Sequence, residues 1–266
     1  MIPKVIHYCW FGNSPLSELA QECITSWKKY CPEYEIKEWN ESNFDVNCCD
    51  FVKEAYEMKK WPFVSDFARL KIIYEQGGIY LDTDVRMIKS FDDLLYNKCF
   101  LGEETTGFVN TGLGFGAEKH SLIVKELLEM YIGKNFKLKD GSFDMIPCPQ
   151  KNTEPLKKYG YVFSGIEIWK NEYVTVYPTD FFCPLDYESK IYKQTKNTHS
   201  IHLFNASWQT KLDKIISRIE NCKNKDSTQF KIRRVMSAPF RIVNKVKKNG
   251  AANTIIYIKK KILKGK

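Results

Sequence analysis

The sequence lacks the features that mark small metal-binding modules, disulfide-rich domains and membrane-spanning proteins. Its nine cysteines form no Cys-x-x-Cys pair and have no regular spacing, so they predict neither a zinc site nor a disulfide framework. No uninterrupted apolar run approaches the roughly 20 residues that a transmembrane helix needs. The first residues already have the pattern of a β-strand, and we expect no signal peptide. These absences predict a cytoplasmic protein that is not integral to the membrane.

The distribution of charge divides the chain. Residues 214–266 contain sixteen Lys or Arg and two acidic residues, a formal charge of +14, so residues 1–213 carry −5 of the total of +9. We predict a catalytic domain over residues 1–213 and a basic amphipathic helical tail over residues 214–266. Such a tail can bind an anionic membrane surface, which would place the protein peripherally on the inner face of the membrane. A helical lid and a basic end without fixed structure are open alternatives, but the acidic body has no continuous basic groove, so we expect no nucleic acid partner.

Hydrophobic periodicity predicts alternating strands and helices in the first part of the chain. We predict strands over residues 5–10, 34–39 and 79–81, a helix after residue 15, and a second helix that begins at Pro62 and ends before Gly77. A strand and turn at 107–112, a helix at 121–131 and strands at 174–177 and 199–204 follow. This β-α-β-α-β order predicts an α/β fold, a Rossmann-like and mainly parallel sheet flanked by helices.

Two aspartates follow the third predicted strand directly. Asp82 and Asp84 stand two positions apart, and both carboxylates point to the same side if the backbone stays extended there. In open α/β sheets ligands bind beyond the carboxyl ends of the strands. Mn²⁺ and Mg²⁺ accept carboxylate ligands and complete their shells with phosphate and water. The alternative is an ordinary solvated turn, but the preceding apolar strand and Gly-Gly pair favour a metal site.

Around these aspartates the sequence resembles a known family. The segments SDFARL at 65–70 and GGIYLDTD at 77–84 are similar to the DxD sugar-binding region of glycosyltransferase family 32, and to the catalytic domain of the large clostridial glucosylating toxins. The opening IPKVIHYCWFG at 2–12 resembles the first strand of the family. The resemblance spans about residues 2–117 and returns at 202–208. It implies a GT-A fold, a nucleotide-diphosphate sugar donor, Mn²⁺ or Mg²⁺, and retention of anomeric configuration.

The resemblance also assigns roles to residues outside the aspartate pair. Asp66 and Arg69 stand three apart on one helical face, so they can pair with each other or together bind donor hydroxyls and phosphate. The family places donor-sugar and ribose contacts at these positions, whereas the alternative is a surface ion pair of little energetic value. Trp10, at the end of the first strand, can stack on the nucleotide base, or can be an ordinary core residue.

The segment IHLFNASW at 201–208 resembles the part of this fold that closes over the diphosphate. A neutral His202 can complete the shell of a cation, and Ser207 and Trp208 can contact the phosphates. The alternative for His202 is a structural role, as is common for lone histidines in strands. Asn110 can contact the transferred sugar or the acceptor, and its alternative is a turn former.

The predicted site therefore comprises three sets of residues. The catalytic residues are Asp82, Asp84 and Arg69; the donor-binding residues are Trp10, Asp66, Arg69, Asp82, Asn110, Ser207 and Trp208; and the metal ligands are Asp82, Asp84 and His202.

We expect a retaining hexosyltransferase that moves a sugar from a UDP- or GDP-sugar to a glycan or lipid-linked glycan acceptor, in surface or capsular polysaccharide synthesis. No second carboxylate is singled out by spacing as a nucleophile, so front-face attack is the expected mechanism. Two alternatives are weighed. The motif around Asp82 is also similar to the first motif of haloacid-dehalogenase phosphatases, although there it stands near the N-terminus. The second alternative is a protein that binds a sugar nucleotide without turning it over.

Overall fold

The structure is a computed structural model that describes residues 1–186, 189, 191–205, 215–216, 219, 228–241 and 243. The chain divides into two compact units, Met1–Asn205 and Ala206–Lys266. The predicted boundary at residue 213 and the membrane-binding role of the tail stay predictions. Within the described residues, no helix combines the length and the apolar character that crossing a membrane requires.

In the described part of the chain, ten strands form two sheets. They are β1 Val5–Cys9, β2 Glu35–Trp39, β3 Gly78–Tyr80, β4 Val85–Met87, β5 Cys99–Glu104, β6 Phe108–Val109, β7 Phe115–Ala117, β8 Trp169–Lys170, β9 Thr175–Tyr177 and β10 Ser200–His202. The central sheet has the order β2-β1-β3-β7-β5-β9-β8, with β6 paired to β5, and β4 and β10 form a small second sheet. In the central sheet β6, β7 and β8 run against the other five strands. The expected α/β architecture, with a mainly parallel sheet flanked by helices, is confirmed.

Helices cover both faces of this sheet. The first unit contains α1 Glu18–Tyr30, α2 Asp50–Glu57, α3 Trp61–Gln76, α4 Leu122–Glu129, α5 Cys148–Thr153 and α6 Thr179–Phe182, and the second unit contains α7 Thr228–Met236. Ser17 caps α1 by accepting a hydrogen bond from the Ala20 amide. Pro62 lies in the first turn of α3, as predicted. Helix α1 buries one stripe of side chains, whereas α3 is buried around most of its circumference.

The core consists of two apolar clusters, one on each face of the sheet. Strand β3 shows the division, because Tyr80 belongs to the cluster beneath α2, α3 and α4, whereas Ile79 belongs to the cluster beneath α1. This alternation follows from the two-residue period of a strand. Trp27 of α1 is fully buried, and its indole N–H donates to the Val85 carbonyl at 2.8 Å. Helix α1 is thereby fixed to the segment that follows the two aspartates.

A Gly-Gly turn connects α3 to β3 without a loop. Gly77 and Gly78 have φ values of 70° and 102°, a region that disfavours side chains. A Cβ on Gly78 would lie 2.8 Å from the Val5 carbonyl oxygen and 2.9 Å from Nε2 of His7. The buried His7 ring in turn bonds the Gly77 carbonyl at 3.0 Å. Glycine at these positions therefore lets β3 pair closely with β1, and this pairing places the two aspartates at the edge of the sheet.

Most predicted elements are present with ends shifted by a few residues, but several elements were not predicted, among them α2, β5, β7 and α5. Helix α2 packs against α3, and β5 lies in the middle of the sheet. All six residues of β5 are buried, including its final pair, Glu103 and Glu104. Two adjacent carboxylates resemble an exposed loop in sequence, which explains why β5 was missed.

Candidate active site

The two aspartates lie in a turn, so the extended backbone under which both carboxylates would point to the same side is not present. The Val85 amide donates to the Asp82 carbonyl at 3.0 Å and closes this turn. The side chains of Asp82 and Asp84 are 28% and 17% exposed. Asp82 accepts from the Tyr80 hydroxyl at 3.1 Å, and Asp84 from the Asn205 amide at 2.9 Å. The turn still directs both carboxylates toward a common centre.

His202 reaches this centre from a distant part of the sequence. Antiparallel pairing of β10 with β4 sets His202 opposite Val85. Its Nε2 lies 3.1 Å from Oδ1 of Asp84. Ligand atoms of Asp82, Asp84 and His202 all lie within 4.8 Å of one another, a spacing that suits one shared cation. Within the described residues, the buried Nδ1 of His202 has no hydrogen-bond partner, and Nε2 is the nitrogen that faces the carboxylates.

The charges at this centre are interdependent. Burial alone would raise the pKa of Asp84, but the His202 ring and the Asn205 amide lower it below its usual value. Burial alone would lower the pKa of His202, but the Asp84 carboxylate raises it. Asp84 is therefore held ionised, as a metal ligand must be. A cation bound here would take over the stabilising role of the imidazolium proton.

Arg69 connects the turn to helix α3. Its Nη2 lies 2.9 Å from Oδ1 of Asp66 and 3.2 Å from Oδ1 of Asp82. Its Nε donates to the Ser65 carbonyl at 3.2 Å, and its Nη1 donates to the Thr111 hydroxyl at 3.4 Å and to the Cys148 sulfur at 3.9 Å. The guanidinium carbon lies 5.0 Å from the Tyr80 ring centre. The Arg69 side chain is only 4% exposed. The alternative of a weak surface pair does not hold, because a buried guanidinium between two carboxylates is a fixed positive centre.

Asn110 lies in a second turn that packs against Asp82. Its Oδ1 accepts from the Gly112 amide at 2.7 Å, which is a turn-forming contact. The Asp82 amide donates to the Gly112 carbonyl at 3.3 Å. A Cβ on Gly112 would lie 2.3 Å from Oδ2 of Asp82 and 3.1 Å from Nη1 of Arg69. Glycine is therefore required here for the close approach of the two turns, and Asn110 lies beside the carboxylate cluster.

Helix α5 supports this second turn, and the sequence analysis missed its contribution. Asn152 donates to the Thr111 hydroxyl at 3.0 Å, and Thr153 accepts from the Val109 amide at 2.9 Å. The Cys148 thiol lies 3.7 Å from Oδ1 of Asn110. Asn152 is 1% exposed. The sequence signal was weak, because α5 is only six residues long and begins with Cys-Pro.

Of the remaining predicted donor-binding residues, the structure describes Trp10 but not the other two. Trp10 directly follows β1 at the same edge of the sheet, is partly buried against the α1 cluster, and donates from its indole N–H to the Ser14 carbonyl at 2.7 Å. Its predicted stacking on a base stays a prediction. Ser207 and Trp208 lie outside the described residues. The structure thus brings together Asp66, Arg69, Asp82, Asp84, Asn110 and His202.

Comparison with known proteins agrees with this geometry. Residues 17–101 match the model of the glycosyltransferase sugar-binding region containing the DXD motif. This range includes Asp66, Arg69, Asp82 and Asp84. The predicted resemblance to the DXD sugar-binding region of glycosyltransferase family 32 is confirmed over this range. The phosphatase alternative gains no support.

Two curated relatives share part of the sequence. The chain is 29% identical over 133 residues to inositol phosphoceramide mannosyltransferase 3 of Schizosaccharomyces pombe, in a match that covers 47% of this chain and 36% of that protein. It is 25% identical over 122 residues to subversion of eukaryotic traffic protein A of Legionella pneumophila, covering 36% of this chain and 19% of that protein. The matched region therefore spans about a third of the length of the mannosyltransferase and about a fifth of the length of the Legionella protein.

Two solved glycosyltransferase structures are similar to the chain. The PaToxG glycosyltransferase has a TM-score of 0.47 and 20% identity, covering 59% of this chain and 70% of that chain. A glycosyltransferase involved in glycosylation of the major capsid of PBCV-1 has a TM-score of 0.41 and 15% identity, covering 77% of this chain and 95% of that chain.

Proposed function

We propose that this protein is a metal-dependent, retaining hexosyltransferase that uses a UDP- or GDP-sugar. The observation that carries the proposal is the convergence of Asp82, Asp84 and His202 within 4.8 Å beside the buried Arg69. One side of the site can bind a cation, and the other holds a permanent positive charge. A departing nucleoside diphosphate needs both kinds of stabilisation.

The donor set fits a divalent cation and favours Mn²⁺ over Mg²⁺. Two carboxylates suit either ion, but an imidazole ligand is more typical of transition metals than of Mg²⁺. The position of His202 Nε2, 3.1 Å from Asp84, agrees with such a ligand set. When bound, the ion would supply Lewis-acid stabilisation of the leaving diphosphate. Asp82, Asp84 and His202 would hold it.

The residues around the cluster would orient the donor. Arg69 is fixed by Asp66 and Asp82, at 2.9 Å and 3.2 Å, so it would hold these carboxylates in place and supply a positive charge near the donor phosphates without reorganisation. In front-face attack, the acceptor hydroxyl bonds to the anomeric carbon on the face from which the diphosphate departs. The leaving phosphate oxygen accepts the hydroxyl proton, so no protein nucleophile is required.

The identity of the donor sugar and that of the acceptor have weaker support than the metal site. The curated relative is named as a mannosyltransferase of inositol phosphoceramide, so GDP-mannose and lipid-linked acceptors are the first compounds to test. Our proposal for this chain is a glycan or lipid-linked glycan acceptor, in surface or capsular polysaccharide synthesis.

The proposed function is tested by a panel of UDP- and GDP-sugars, with hydrolysis and transfer measured in Mn²⁺, in Mg²⁺ and in chelator. We expect at least one donor to be turned over, and activity to be lost in chelator and restored by Mn²⁺. Asp84→Asn should abolish turnover, because a neutral amide binds the cation weakly. The matched control is Asp45→Asn, which changes an exposed aspartate. Near wild-type turnover by folded Asp84→Asn at saturating metal would refute the proposed site.

We also propose that the basic tail binds an anionic membrane surface on the inner face of the membrane. Helix α7 contains Arg233 and Arg234 in its last turn. Ile232, Val235 and Met236 are 57%, 73% and 62% exposed, a combination of cationic and apolar side chains that suits a lipid interface. Co-sedimentation with phosphatidylserine vesicles should be lost when the chain is truncated before Ser227. Equal sedimentation of both chains would reject the proposal.

A further inference from the structure

Strand β5 ends in two adjacent buried carboxylates with different partners. Glu103 and Glu104 are 1% and 7% exposed, and successive strand residues point to opposite faces of the sheet. Buried carboxylates are costly unless several donors satisfy them. The hydrogen-bond donors that surround each carboxylate therefore indicate its role in the structure.

Glu103 has a structural set of partners. Its Oε1 accepts from the Tyr161 hydroxyl at 2.8 Å and from the Ser164 amide at 3.2 Å. Its Oε2 accepts from the Gly165 amide at 2.6 Å. Three donors from one loop thus satisfy this carboxylate, and its role is to hold that loop against the sheet.

Glu104 instead faces the second turn of the candidate active site. Its Oε2 accepts from Nδ2 of Asn110 at 2.8 Å, and its Oε1 accepts from the Thr106 hydroxyl. Oδ1 of Asn110 accepts from the Gly112 amide at 2.7 Å. An ionised carboxylate can only accept and a backbone N–H can only donate, so the Asn110 amide has a single allowed orientation.

This arrangement connects Glu104 to the DXD turn. The Gly112 carbonyl accepts from the Asp82 amide at 3.3 Å, so a continuous chain of hydrogen bonds runs from Glu104 through Asn110 and Gly112 to Asp82. Asn110 has two Nδ2 protons, and Glu104 accepts one of them. Among the described residues, no acceptor is found for the second proton.

We propose that Glu104 is a positioning residue that locks the Asn110 amide, so that its second Nδ2 proton is directed to an oxygen of the transferred sugar. This inference rests on the proposed glycosyltransferase function. Glu104 itself need not touch the donor. Without its carboxylate the amide is held only through its oxygen, by the Gly112 amide and the Cys148 thiol, so Nδ2 is no longer fixed and the donor sugar loses a pre-oriented hydrogen bond.

The test compares binding of the sugar with binding of the nucleotide alone. The probe is the UDP- or GDP-sugar that the wild-type protein turns over in the panel, and the reference ligand is the corresponding UDP or GDP, both with Mn²⁺. For Glu104→Ala we expect kcat/KM to fall and Kd for the nucleotide sugar to rise about fivefold, the value of one hydrogen bond between neutral groups. Kd for the sugar-free nucleotide should change by less than about twofold.

Two further variants separate positioning from folding. Glu104→Gln keeps an oxygen acceptor for Asn110 and should recover most of the lost sugar affinity. Tyr161→Phe is the matched control, because it removes one donor from the neighbouring Glu103 and should leave both Kd values unchanged. A folding defect would reduce the active fraction without changing the ratio of the two Kd values.

The outcomes distinguish this inference from the proposed function. If the wild-type protein binds and turns over no member of the panel, the proposed function fails, and the inference fails with it. If the wild-type protein is active and Glu104→Ala retains the wild-type Kd ratio, the positioning role alone is refuted. Equal losses in Glu104→Ala and Glu104→Gln would also refute it.

Discussion

His7 makes the stability of the protein depend on pH, because its ring is held neutral beneath the DXD strand. The ring is 2% exposed. The Trp39 indole N–H donates to Nδ1 at 3.0 Å, and Nε2 therefore carries the proton that is donated to the Gly77 carbonyl at 3.0 Å. Protonation of Nδ1 would place its N–H opposite the Trp39 indole N–H, and neither group can accept the other's proton. Burial, together with the charge of Lys37, lowers the pKa of His7 to about 4.

The magnitude follows from the difference between folded and unfolded pKa values. The unfolded chain takes up this proton near pH 6.5, whereas the folded protein does so only near pH 4. The unfolded state therefore binds more protons between these values, and stability falls as pH falls through this window. The total loss is about 3 kcal/mol, of which about 2 kcal/mol is lost between pH 7 and pH 5.

The assay is urea denaturation of the wild-type protein and of His7→Gln at pH 7 and pH 5. Other groups titrate equally in both proteins, so the double difference in free energy of unfolding isolates His7. The wild-type protein should lose about 2 kcal/mol more than the variant on acidification. Equal losses in the two proteins would show that His7 does not titrate as argued.

Two further predictions test the packing around the site. Gly112→Ala places a Cβ 2.3 Å from Oδ2 of Asp82, so we expect about 1–3 kcal/mol of lost stability and weaker Mn²⁺ binding; unchanged metal affinity by calorimetry would contradict this. Lys151 pairs with Asp144 at 2.8 Å, with side chains 7% and 14% exposed. Asp144→Asn should therefore cost about 3 kcal/mol in urea denaturation, and adding Lys151→Met should restore most of it. A single variant as stable as the wild type would contradict the argument.

Local patterns in the sequence were sufficient to predict part of the site. Asp66 and Arg69 stand three apart on a helix, and that spacing brings their side chains together wherever the helix packs. The Gly77–Gly78 pair ends α3 and begins β3 through backbone conformations that only glycine adopts easily. Apolar periodicity predicted the strands that flank this turn.

Other features could not be predicted, because they depend on pairing between distant segments. The sequence raised His202 as a ligand, but only the pairing of β10 with β4 sets it beside Asp84. The six-residue β5 was missed because its last two residues are acidic, and burial of such residues becomes favourable only when donors from other segments surround them.

By itself, the sequence determined the elements whose formation depends on near neighbours: the α3 helix, the glycine turn, the carboxylate pair and the acidic body with its basic tail. The tertiary structure decided which charges face each other. It placed Arg69 between Asp66 and Asp82, and connected Glu104 to Asn110. The physical reason is that spacing along a chain specifies local backbone geometry, whereas a buried carboxylate is stabilised only by whichever donors the folded chain brings to it.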